Sequence, residues 1–72
     1  MNKFAYLYNE QYSNACNFTT IEQRMNTILH NPNINVIEIN YKPIVFNDKL
    51  YAHALIIYEA ERQLSDDEMT HY

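Results

Sequence analysis

Lys42 and His53 are the residues whose types and placement could do chemistry together. Two protonatable groups held side by side would receive an anion: a carboxylate, a phosphate or an acidic protein surface. Arg24 is a third candidate for the same task, with Tyr51 and Asn40 near the pair. The plainer account is an ordinary polar sheet face, because cross-strand polar pairs are routine in sheets.

Other reactive types are present without a pattern that activates them. Cys16 and His30 are the elements of a nucleophile and its base, but nothing in the sequence brings them together and no oxyanion loop is evident. A small, semi-buried cysteine is the simpler reading. His30, His53 and His71 are too scattered for a metal site. Glu59 and Glu61 share one strand face, yet paired carboxylates need a pocket to work as acid and base. Glycine is absent, so no glycine-rich phosphate loop can form. These readings lead to the expectation of a non-enzymatic protein without cofactor or metal.

Four elements must position these residues. Lys3–Tyr8, "KFAYLY", reads as a strand in which Phe4, Tyr6 and Tyr8 alternate with Ala5 and Leu7. A polar stretch, "NEQYSNACN", reads as a loop. The spacing of Ile21, Met25, Ile28 and Leu29 predicts a helix over about Thr20–Asn31. Thr19 with Glu22, or Thr20 with Gln23, has the spacing of a capping box. Pro32 stops this helix, and His30 suits the negative end of its dipole. Two further strands follow, about Asn35–Lys42 and Leu50–Ala60.

Between those strands Asn47-Asp48 is the most turn-like pair. A tight turn there places Phe46 opposite Lys49. Ile37 then faces Tyr58, Ile39 faces Ile56 and Tyr41 faces Ala54, all on the side assigned to the helix-covered core. The other side pairs Glu38 with Ile57, Asn40 with Leu55, and Lys42 with His53. Pro43 lacks an N–H and marks an edge strand.

A right-handed crossover from the first strand to the second leaves room between them for the third, the most apolar. The expected fold is α+β: a three-stranded sheet with one helix on one face, half of a ferredoxin-like layout, spanning residues 1–62. The tail, residues 63–72, is expected to fray or to be ordered by a partner, although "SDDE" has capping-box spacing for a short helix at Ser65. Val36, Leu55 and Ile57 are placed on the uncovered sheet face, as an oligomer interface.

A chain of 72 residues with one cysteine has no internal disulfide, which favours a reducing compartment and leaves oligomerisation as its staple. A homodimer is the simplest form. The net charge of −4 argues against direct nucleic-acid binding, which needs a basic stripe. No apolar run is long enough to span a membrane, and the N-terminus lacks a signal-peptide pattern. A cytoplasmic protein is expected. Abundant Asn, Ile and Tyr with no Gly or Trp point to an AT-rich genome, such as a low-GC bacterium or its phage. Among the seven tyrosines, Tyr8, Tyr12 and Tyr51 are the candidate partner contacts, since Tyr offers area and a polar tip at little entropic cost.

"NPNINVIEINY" followed by "YAHALIIYE" resembles the small sporulation-specific protein family of bacilli, which has relatives in phages. The matching segments are Val36–Tyr41 and Ala54–Glu59, and the likeness runs over about half the chain, Ile21–Glu59. The resemblance implies a small α+β fold and transfers no catalytic motif.

Three functions follow as expectations. The first is a small acidic accessory protein of a phage or mobile element that docks on and inhibits a host defence protein. The second is an oligomer that sequesters a small anionic ligand, such as a signalling nucleotide, through Arg24, Lys42 and His53. The third is a sporulation-associated structural protein.

Overall fold

The computed structural model describes residues 1–72. The chain runs β1 (Asn2–Gln11), α1 (Phe18–Leu29), β2 (Asn35–Phe46), β3 (Lys49–Ala60) and α2 (Asp66–Thr70). The sheet is three-stranded in the order β1-β3-β2, with both outer strands antiparallel to β3. The α+β layout read from the sequence is therefore the observed one, including the central place of the last strand.

Each strand is longer than its pattern suggested. Backbone pairing to β3 carries β1 through Gln11 over polar residues that look like loop formers, and carries β2 past Pro43 through the apolar Ile44, Val45 and Phe46. Twelve strand residues reach roughly 40 Å, and the molecule's long axis is 40 Å. Asn47 and Asp48 make the hairpin turn at φ values of 52° and 61°. A two-residue turn that follows the strand twist needs the left-handed region twice, and in a chain without glycine Asn and Asp are the residues that tolerate it.

The core lies on one side of β3, where Ala52, Ala54, Ile56, Tyr58 and Ala60 are all buried. Their period of two is the signature of a strand with one covered face. Ile21, Met25 and Ile28 from α1 and Met69 from α2 complete the cluster, with Tyr8 from β1 and Cys16 from the loop after it. Three alanines among the β3 residues leave room for the helical side chains above them.

α1 starts two residues before the expected position. Asn17 is its N-cap, and its side-chain oxygen accepts from the Thr20 N–H at 3.1 Å. At the other end the His30 N–H reaches the Asn26 carbonyl and its ring Nδ1 lies 2.8 Å from the same oxygen. The ring thus sits on the orphan carbonyls that carry the dipole's negative end.

Two expectations about the core need correction. Ile37 does not face Tyr58. The ladder shifts between Val36 and Glu38, so Val36 takes that partner and Ile37 is the extra residue of a bulge. Ile39 and Tyr41 do hold their places opposite Ile56 and Ala54, but they remain 40% and 44% exposed. α1 covers the β1–β3 side of the sheet and leaves the β2 margin open.

The tail is also corrected. Within residues 63–72 a second helix, α2, packs on the chain's own core. Ser65 caps α2 with a reciprocal box to Glu68, and Met69 is fully buried. The buried Asn31 donates from Nδ2 to the Glu68 and Met69 carbonyls at 3.0 and 3.3 Å, and its Oδ1 accepts from the Asn33 N–H. Tyr58 Oη accepts from the Leu64 N–H at 3.1 Å, and Tyr72 Oη donates to the Thr27 carbonyl at 2.6 Å. One chain segment thus closes the base of the core.

Candidate functional site: the open sheet face

The second face of the sheet carries no helix. Its residues stand in cross-strand rows set by the register. Leu55 lies between Leu7 and Asn40, and Ile57 between Ala5 and Glu38. Toward the turn, His53 lies between Asn9 and Lys42, and Tyr51 between Gln11 and Ile44. Phe46 follows at the tip, opposite Lys49. Leu7 and Phe46 are each 63% exposed. An apolar band therefore spans β1 and β3 through Leu7, Leu55 and Ile57 and stops at Asn40 and Glu38 on β2, and a second one lies at the hairpin end through Tyr51, Ile44 and Phe46. Lys3, Glu38, Lys42 and Glu59 ring them with both signs of charge.

Asn9, Ile44, Phe46, Tyr51 and His53 line a shallow depression of about 360 Å³ on this face. The Lys42–His53 pair stands as the hairpin register requires. It is the part of the expected anion site that the fold assembles.

Arg24 does not join it. Arg24 projects from α1 on the opposite side of the sheet and forms an ion pair with Glu10. Tyr8 Oη donates to the same carboxylate at 2.8 Å. The Arg24 guanidinium, and then the Tyr8 hydroxyl, hold the Glu10 carboxyl below its usual range against the opposing effect of burial. Burial, followed by the Glu10 bond, pushes the Tyr8 phenol up. Three polar groups satisfy one another here, so Arg24 is occupied.

The other expected contacts divide. Tyr8 is buried in the core and cannot meet a partner without unfolding, since β1 turns its even-numbered side chains under α1. Tyr12 is half-buried; its ring packs on Phe18 at 4.8 Å between centroids and its hydroxyl bonds that of Tyr41. Burial and the Tyr41 bond push it up to about 12. Tyr51 is on the open face, as are Leu55 and Ile57. Val36 is not. The bulge at Ile37 sends Val36 to the helix side, where it packs against the core.

The sequence reading missed Leu7, Ile44 and Phe46 as members of this face. Leu7 was legible from the alternation of β1. Ile44 and Phe46 lie beyond the expected end of the strand at about Lys42, whereas the strand continues through Pro43 to the turn.

No group of three or more His, Cys, Asp or Glu side chains is arranged to hold a metal ion. Cys16 is buried with the Arg24 Nη1 3.8 Å from its sulfur, and His30 is engaged at the end of α1. No helix is long and apolar enough to cross a membrane. No family model, curated protein or solved structure matches the chain.

Proposed function

We propose that this protein is a non-enzymatic binding module that docks on a larger protein through its open sheet face, blocking or tethering it. The observation that carries the reading is the pair of apolar bands on a sheet face that no element of the chain covers. A band of aliphatic and aromatic side chains rimmed by mixed charge is the anatomy of a protein interface. Its small size, acidity and AT-rich residue usage support an accessory protein of a phage or mobile element acting on a host defence protein. The test is Leu55→Asp beside Tyr51→Ala, each checked for an unchanged circular-dichroism spectrum. Loss of partner binding supports the reading, and unchanged binding by both variants overturns it.

A second reading draws on the Lys42–His53 pair beside the depression at Tyr51: capture of a small anion carrying a ring. Native mass spectrometry of the gently purified protein tests it. A nucleotide-sized adduct that Lys42→Ala loses supports it, and a bare chain counts against it.

A further inference from the structure

We infer that β2 pairs with β2 of a second copy, antiparallel about a two-fold axis at Asn40, to make a continuous six-stranded sheet. This goes beyond the docking reading and uses the β2 edge, because edge pairing engages Glu38 and Lys42 at the rim of the open face and leaves its apolar bands free.

The backbone sets the possibility. β2 is an edge strand. In an antiparallel ladder, directly opposed residues alternately exchange two hydrogen bonds or none. A two-residue turn makes the flanking pair, Phe46 and Lys49, a bonded one. Counting back, Lys42, Asn40 and Glu38 bond to β3, while Ile39, Tyr41 and Pro43 direct their backbone groups away from the sheet. Ile39 and Tyr41 thus offer N–H and C=O groups to an incoming strand. Pro43 falls at an outward position, where its missing N–H costs no bond to β3. It limits the added ladder to the centre of the strand and guards against open-ended pairing.

The side chains select the partner. Glu38 and Lys42 lie two residues either side of Asn40 on the same sheet face. A two-fold axis at Asn40 therefore puts Glu38 of each copy opposite Lys42 of the other, twice. These would be non-bonded pairs, the kind whose side chains approach most closely. On the helix side the same axis sets Ile39 opposite Tyr41, and both are part-exposed with no helix above them. The other edge, β1, lacks this symmetry, because its charged residues Lys3 and Glu10 lie on opposite faces. Self-complementarity of this kind is what an isologous interface requires.

Charge reversal tests the register. Glu38→Lys sets lysine against lysine, and Lys42→Glu sets glutamate against glutamate, at surface positions that leave the core untouched. Sedimentation equilibrium on the wild-type protein should give twice the 8.6 kDa chain mass. Each single variant should give the monomer mass. An equimolar mixture of the two should recover the dimer, because every opposed pair is then complementary. A monomeric wild type, single variants that dimerise as wild type does, or a mixture that stays monomeric would each overturn the inference.

Discussion

Val36 stands opposite Tyr58, and Ile37, which a regular hairpin would place there, is the extra residue of a bulge. One inserted residue exchanges the fates of two neighbours: Val36 packs on the core, and Ile37 is 47% exposed. Val36→Ala should therefore destabilise the protein more than the larger truncation Ile37→Ala, which should stay within about 0.5 kcal/mol as surface changes do. Urea denaturation of the two variants measures this. Equal losses, or the larger loss at Ile37, would restore the regular register.

Ile56 gives the reference for a full core truncation. It is wholly buried at the centre of β3, between Tyr6 and Ile39. Ile56→Ala should cost ~2–5 kcal/mol, a large share of the ~5 kcal/mol at the lower end of domain stability. A melting temperature near that of the wild type would place Ile56 outside the core.

The C-terminal segment should behave as part of that core. Met69→Ala should cost ~2–5 kcal/mol because the side chain is fully buried. Ser65→Ala, which removes one arm of the α2 cap, should cost ~0.5–2 kcal/mol. Thermal melts of both variants check this. Hydrogen exchange as fast at Met69 as in a free peptide would mean that the tail is not docked.

Acid should loosen the two carboxylate anchors. Glu68 is held down to about 2, chiefly by Arg62 and next by the Ser65 N–H, and Glu10 is lowered by Arg24. A carboxyl with a depressed folded value favours the folded state above its usual value near 4.5 and loses that contribution as the pH falls through the folded one. The melting temperature should hold from neutral pH to about pH 5 and decline below it, with a shallower decline in Glu10→Gln. Both pairs are partly exposed, so salt should shrink the effect. A melting temperature that rises on acidification would contradict these assignments.

The fold was readable because local signals agreed. The period of two in β3, the 3.6-residue period of α1 and the Asn47-Asp48 turn each specify one element, and together they set the hairpin register from Glu38 to the turn. The bulge was not readable, since regular alternation of "NVIEI" sets Ile37 and Ile39 inward and Val36 and Glu38 outward, and no local signal marks Ile37 as an extra residue. Burial of Met69 was hidden for a similar reason. A lone methionine among acidic residues looks like a solvated tail, and only the tertiary position of Asn31 gives it a socket. Of the candidate site, Tyr51, Leu55, Ile57, Lys42 and His53 followed from strand parity. Arg24 did not, because Glu10 claims it across an α1–β1 contact that no local pattern encodes, and Tyr8 did not, because the helix packs over its side of β1 and buries it.

The docking claim is tested most directly by site-specific photocrosslinking in lysate of the source cell. A photoreactive phenylalanine analogue would be placed at Leu55 on the open face, or at Thr27 on α1. A single heterologous product is expected from position 55 alone, displaced by excess wild-type protein and not by excess Leu55→Asp. No product at position 55, or the same products from both positions, would contradict a docking role for the open face.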